Sequence, residues 1–500
     1  MKPIVNALGK LNRGKRAYAV FVLCATTPIA LSAQTVTTLA SFNGTDGAGP
    51  SAALIQATDG NLYGTAYVGG ANYYGTVFKI TPSGTLTTLY SFCSQSGCTD
   101  GAYPSGALVQ STNGDFYGTT QNGGASDYCG AGSGTIFKIT PSGTLTTLYS
   151  FCSRTNCTDG GNPSAALVQA ANGDFYGTTY EGGVHCNAFG CGTVFKITPS
   201  GTLTTIYSFC PQSGCPDGEG EHPEARLVQA TNGDFYGTTA FGGAHRRGTV
   251  FKITPSGTLM TLYNFCPRSG CPDGLHPSAE LVQAANGDLY GTTSEGGANG
   301  LGTVFKITPS GTLTTLYSFC SQGFPCADGY GPSGLVQATN GDFYGTTGFG
   351  GANNDGTVFE ITPSGTLTTL YSFCSQSGCP DGQSPNAGLV QATNGDLYGT
   401  TLNGGGANND GTVFSLSVGL GPFVETRPRS GEVGTVVEIL GTDLTGTTSV
   451  SFNGTAATFT VNLSGSAIST TVPAGATTGT VEVVTPSRTL SSNVPFRVLP

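Results

Sequence analysis

The sequence predicts an all-β fold, a seven-bladed β-propeller of four-stranded blades followed by an immunoglobulin-like β-sandwich. The string Tyr-Gly-Thr returns at Tyr63, Tyr117, Tyr176, Tyr236, Tyr290, Tyr344 and Tyr398, at spacings of 54, 59, 60, 54, 54 and 54 residues, a period that marks tandem supersecondary units. Composition argues against helix, because 79 Gly and 27 Pro in 500 residues with only 10% charged side chains do not build bundles or coiled coils. Disorder is excluded as well. The 27 Phe, 21 Tyr and 37% hydrophobic residues supply apolar surface to offset the entropy of ordering.

Residues 1–33 read as a secretory signal peptide. Lys2, Lys10, Arg13, Lys15 and Arg16 precede an uncharged stretch from Ala17 to Leu31, and the small Ser32 and Ala33 follow it, the layout of a cleavable export signal. Leu23 stands where a lipobox needs a small residue, which argues against lipidation of Cys24. Without the segment the chain keeps 14 Lys and Arg against 29 Asp and Glu. An acidic exported protein is a poor nucleic-acid partner, since phosphate neutralisation needs clustered cations. No later apolar run approaches the roughly 20 residues of a membrane-spanning helix. The expected location is outside the cytoplasm: secreted, periplasmic or at the cell surface.

Residues 34–418 form the expected propeller. Each repeat holds four strand-like segments, ALVQA, DFYGTT, GTVFKIT and TLTTLYSF, punctuated by Asn-Gly-Asp, Gly-Gly and Pro-Ser-Gly, all turn formers. Asn-Gly fits a tight hairpin in which both residues take positive φ. Apolar residues of both parities suit sheets buried on both faces. A linear β-solenoid is the structural competitor, but its coils are usually much shorter than these repeats. The ends support ring closure: Thr35–Phe42 (TVTTLASF) precedes the first ALVQA-type strand, while the last repeat stops after Gly411–Val418 without its own fourth strand. The first segment is expected to complete the last blade and leave no free edge.

Up-and-down blades separate two faces. Asn-Gly-Asp and Pro-Ser-Gly turns make one face monotonous. The other carries the length variation, the histidines and the cysteines, so it is the better site candidate. Six cysteine pairs follow the fourth segments: Cys93 and Cys98, Cys152 and Cys157, Cys210 and Cys215, Cys266 and Cys271, Cys320 and Cys326, Cys374 and Cys379. Cys186 and Cys191 make a seventh pair in a Gly-Gly loop, and Cys129 is left over. Zinc needs four converging ligands, whereas each pair sits alone in its loop. Local disulfides suit an exported chain, each contributing about 2 kcal/mol.

The candidate ligand-binding sector gathers His185 and His245 in Gly-Gly loops, His222 and His276 in links between repeats, and Arg246, Arg247, Tyr180 and Phe241 beside them. Aromatic, cationic and carboxylate groups together suit a polar polymer. No two histidines share a ligand-like spacing, so no metal and no cofactor is expected. Repeated Asp115, Asp174, Asp234, Asp288, Asp342 and Asp396 read as turn formers. The non-repeated Glu181, Glu221, Glu224 and Glu295 are placed in loops, away from the axis, most of them as solvated surface.

Residues 419–500 break the repeat and contain no Cys. Their Pro-x-Ser-Gly-x-x-Gly-Thr opening, Leu-Gly-Thr-Asp-Leu turn and Val-Pro-Ala-Gly-x-x-x-Gly segment resemble an IPT/TIG domain, which implies an immunoglobulin-like sandwich serving as spacer or interaction module. DNA binding, found in some members, does not carry over to a tail with four dispersed Arg against five acids. The repeat resembles the GloVer-type (Gloeo/Verruco) tandem repeat of bacterial exported proteins through Gly-Asp-Phe-Tyr-Gly-Thr-Thr, Gly-Gly, Gly-Thr-Val-Phe-Lys-Ile (with Ile136 for Val in the copy from Gly114 to Leu145) and Thr-Pro-Ser-Gly-Thr-Leu. That resemblance spans residues 35–418 and implies no catalytic residues. Anchored members end in a sorting signal or apolar tail, and this chain departs from them by ending at Pro500 with neither. The function expected is therefore non-catalytic binding of an extracellular glycan, other polymer or protein. A propeller-based polysaccharide hydrolase or lyase is the rival, since propellers host carboxylate pairs near the axis.

Overall fold

The structure is a computed structural model that describes residues 34–125, 133–184, 190–210 and 219–499. The expected signal peptide lies outside these residues. The chain is all-β, and among the described residues the only helical segments are the 3-10 turns Ser96–Cys98 and Thr155–Cys157. No helix there is long and apolar enough to cross a membrane.

Each repeat makes one four-stranded antiparallel sheet, of the kind that propeller-like blades use. In the third repeat the order is Val168–Gln169, Phe175–Thr179, Thr193–Ile197 and Leu203–Ser208. The second strand is buried throughout, the third nearly so, and the fourth is half-exposed. The first strand is shorter than ALVQA suggests. Residues just before it spend their carbonyls on the neighbouring sheet: the hydroxyls of Thr119 and Thr346 donate to the carbonyls of Ala165 and Ala387, both at 2.9 Å.

The Asn-Gly turn also differs from expectation. Gly173 N–H donates to Ala170 O and Ala170 N–H to Asp174 O, a type I turn followed by a left-handed Gly173 at φ 86°, which needs positive φ at one residue only. Asn172 contributes its side chain instead, its Oδ1 accepting from Asp174 N–H at 3.1 Å. The repeated aspartates are turn residues, and four also meet the strand-three lysine, as in Lys138–Asp115 at 3.5 Å.

Glycine in Tyr-Gly-Thr has a packing cause. A Cβ on Gly177 would lie 2.6 Å from the ring of Phe195, so the aromatic residue of Gly-Thr-Val-Phe occupies that space. Consecutive sheets share apolar cores in which a tyrosine of one stacks on a phenylalanine of the next, as Tyr117 on Phe175 and Tyr176 on Phe235 at 4.2 Å. Each such buried ring contributes about 2–3 kcal/mol.

The last repeat sheet meets the first in the same way. Phe42, Leu54 and Phe78 share a core with Tyr398 and Val413. Thr393 N–H donates to Gln56 Oε1 at 2.9 Å, repeating Thr58 N–H to Gln110 Oε1. The N-terminal strand Thr35–Ser41 pairs antiparallel with Thr412–Ser417, from Thr35 opposite Ser417 to Ser41 opposite Thr412. It is the outer strand of the last sheet.

Five expected disulfides are present: Cys93–Cys98, Cys152–Cys157, Cys266–Cys271, Cys320–Cys326 and Cys374–Cys379. Cys191 and Cys210 are disulfide-bonded too, whereas Cys186, Cys215 and Cys129 lie outside the described residues. The bridged loops fold over a buried aspartate. Asp159 is fully buried and accepts from Tyr149 Oη at 2.8 Å and Ser153 N–H at 2.9 Å.

The tail forms two further four-stranded sheets. Val437, Ile439 and Ile468 of one and Val450, Phe452 and Val483 of the other belong to a single core. The tail touches the ends of the first strands in the first and last repeats. Ser466 Oγ donates to Thr58 O at 2.7 Å, Arg427 Nη1 to Gln56 O at 2.8 Å, and Phe423 N–H to Thr393 O at 3.0 Å.

Candidate functional site

The link into each repeat runs Gly-x-z-Pro, with z at Tyr103, Asn162, His222, His276 and Ser384 among others. These five residues hold φ between 54° and 58°, a left-handed conformation that costs a side-chain-bearing residue about 1–2 kcal/mol. The conformation is held from outside: the N–H of each donates to the preceding repeat, as His222 to Cys191 O at 2.9 Å and His276 to Arg247 O at 3.0 Å. The backbone is therefore constant while the side chain varies, the condition for a built site on a rigid scaffold.

The residue after that proline lines a polar cavity of about 430 Å³. Ser51, Ser105, Ser164 and Ser278 contribute hydroxyls from different repeats, and Glu224 occupies the same column. Gln121, Asn162 and Tyr180 complete the wall. Two lining atoms, Asn162 Oδ1 and Ser164 Oγ, are buried without a hydrogen-bond partner, which leaves polar capacity for a ligand. Burial pushes the Glu224 carboxyl up, partly offset by His222. The Tyr180 phenol is pushed up by burial, then by the charges of Glu224 and Glu181.

The placement of Glu224 corrects the sequence reading, which left it on a solvated loop. It lies between Pro223 and Leu227, in the run leading into the first strand. Arg226 Nη1 pairs with Glu280 Oε2 at 3.7 Å, and Glu280 reaches toward Gly334 and Gly388 of two later repeats. Glu280 was not singled out from sequence. Its signal is columnar, because the corresponding positions are the small Ala53, Ala107, Ala166, Gly334 and Gly388, with its ion-pair partner Arg226 as the other large member.

Four of the expected site residues form one row. Tyr180 stacks on His222 at 4.3 Å and 25°, and His222 Nδ1 donates to Tyr180 O at 2.8 Å. Phe241 meets His222 edge-on at 6.1 Å and lies 4.8 Å from His276. His276 Nδ1 faces Glu295 at 3.6 Å. His245, Arg246 and Arg247 do not join this row. They occupy an exposed turn, where Arg247 contributes its backbone carbonyl to His276. His185 lies outside the described residues.

Sequence reasoning missed a second aromatic group. Tyr67 and Tyr74 lie 5.3 and 5.4 Å from Tyr103, and Tyr67 Oη donates to the cavity residue Gln121 at 2.9 Å. Tyr330 stacks on Phe349 at 5.2 Å. Among the described residues the one group with metal-ligand proximity is Asp355, Cys374 and Cys379, and its two sulfurs are joined in a disulfide.

Solved structures resemble the chain at the level of fold. A streptogramin B lyase aligns at TM-score 0.50 and 16% identity, covering 77% of this chain and 97% of that one. A copper-bound fungal alcohol oxidase of the AA5 family aligns at 0.49 and 12%, covering 93% and 99%. The PQQ-bound aldose sugar dehydrogenase of Streptomyces coelicolor aligns at 0.38 and 15%, covering 77% and 98%. The distant structural neighbours thus include enzymes of different chemistries, and at these identities the likeness extends to the fold alone. No curated protein matches the sequence. The Gloeobacter/Verrucomicrobia repeat matches in three tandem copies, over residues 26–187, 129–272 and 321–483, the last running past residue 418 into the tail. With most of its length matched, the chain belongs to the Gloeobacter/Verrucomicrobia repeat family.

Proposed function

We propose that the protein is an exported, non-catalytic binding protein that holds a glycan on the variable face of a closed seven-bladed propeller. In this reading residues 1–33 are a signal peptide, 34–418 the propeller, and 419–500 an IPT/TIG domain of immunoglobulin-like form. The pairing of Thr35–Ser41 with Thr412–Ser417 supports closure, and the two tail sheets around one core support the sandwich. Five disulfides fit an extracellular or periplasmic location.

The observation that carries the binding role is a hydroxyl-lined cavity with unpaired polar atoms beside rows of aromatic side chains. Sugars offer hydroxyls for serine, asparagine and glutamine and flat C–H faces for aromatic rings. A hydrolase or lyase is the second reading, favoured by the upward-shifted carboxyl of Glu224 in the cavity. Against it, Glu224 is the one carboxylate in the wall, whereas glycoside hydrolysis ordinarily uses a pair.

Incubation of the purified protein with a polysaccharide panel separates the two. Retention without new reducing ends is expected, and release of reducing ends or unsaturated products would establish the enzyme. Phe241→Ala, at a side chain 37% exposed, should weaken retention about tenfold with little change in Tm. Unaltered retention would move the site away from the aromatic row.

A further inference from the structure

The charge balance of the cavity selects among glycans. The polar wall is built from neutral groups with one exception, Glu224. Among the described residues no lysine or arginine pairs with that carboxylate. The guanidinium of Arg226 is engaged with Glu280 at 3.7 Å, and the one basic group whose charge acts on Glu224 is the imidazole of His222. That imidazole stacks on Tyr180 and spends its Nδ1–H on Tyr180 O at 2.8 Å, so Glu224 has no hydrogen-bonded lysine or arginine partner among the described residues.

Resting on the glycan reading, we propose that the cavity is specific for glycans bearing free primary amines, with the ligand ammonium seated on Glu224 and sugar hydroxyls on the serine ring. A half-buried carboxylate with no bonded lysine or arginine is costly, and a charge-assisted hydrogen bond from an ammonium offsets that cost. An N-acetylated sugar of the same backbone has a neutral amide at that position. It leaves the carboxylate desolvated and unpaired.

The test is titration calorimetry of the full exported chain with a glucosamine hexamer and an N-acetylglucosamine hexamer. The glucosamine oligomer is expected to bind about tenfold more tightly, with a preference that shrinks as salt is raised. Glu224→Gln should abolish the preference, weakening the glucosamine hexamer and relieving the penalty on the N-acetylglucosamine hexamer, and Glu224→Asp, which keeps the charge on a shorter stem, should retain part of it. Melting curves verify that both variants are folded. Equal affinities in the unsubstituted protein, or a preference that survives in Glu224→Gln, overturn the ammonium assignment while the glycan reading stands. Binding of neither hexamer, nor of any neutral polysaccharide in the panel, overturns both.

Discussion

Glu425 shows how one residue's surroundings set a pH limit. Burial alone would raise its carboxyl, but the guanidiniums of Arg427 at 3.0 Å and Arg429 at 3.1 Å hold it down to about 2, from an ordinary 4.5. A carboxylate depressed by folding adds stability above its unfolded value and loses it as pH falls through the folded one. A shift of that size corresponds to about 3 kcal/mol. Tm should therefore fall between about pH 4.5 and 2, and in Glu425→Gln the part of this fall due to Glu425 should vanish. Melting curves of both proteins across that range check the expectation, and parallel curves would contradict it. Arg427 also donates through Nη1 to Gln56 O in the first repeat, so this ion pair lies beside a contact between the tail and the repeats.

Among the elements, Thr35–Ser41 has the longest reach. Deleting it removes the partner of Thr412–Ser417 and leaves that strand as an unpaired edge, a template for association. The deletion should lower Tm and populate oligomers, read by light scattering, and a monomer with unchanged Tm would refute the role. This element was legible because the strand composition TVTTLASF appears at the start and is missing at the end. The disulfides were legible for a similar reason, since each pair recurs in one loop. The short first strands were not, because their lost ladder bonds go to threonines of the neighbouring repeat, a partner remote in sequence. Nor was the part played by Glu224 and Glu280. Read along the chain, each is an acid in a link, and their significance emerges only when repeats are stacked, so that Glu224 stands out in a column of serines and Glu280, with Arg226, in a column of alanines and glycines. Tyr180, His222, Phe241 and His276 come together because the rings of the Gly-Gly loops meet those of the links between repeats. His245, Arg246 and Arg247 belong to a turn whose side chains point into solvent.

At the scale of the whole molecule, the tail holds both ends of the repeat array. Ser466 and Asn462 donate to Thr58 O in the first repeat, at 2.7 and 2.8 Å, while Phe423 and Thr442 bond Thr393 in the last, at 3.0 and 2.9 Å. It bridges the first strands of the first and last repeats, where these two sheets meet. Ending the chain after Val418 should lower the Tm of the repeat region by several degrees, on the order of 2–4 kcal/mol for these hydrogen bonds together, and scanning calorimetry measures it. An unchanged transition would make the tail an independent appendage. The pairing of Thr35–Ser41 with Thr412–Ser417 also fixes an order of events in time. The first strand to emerge from the ribosome is among the last to find its partner, because hundreds of residues must be made before that partner exists. The disulfides, closing over separations of 5 or 6 residues, need no such wait. The chain can thus complete its local loops early and still carry two open edges until Thr35–Ser41 and Thr412–Ser417 pair, the interval in which the protein is most exposed to misassembly.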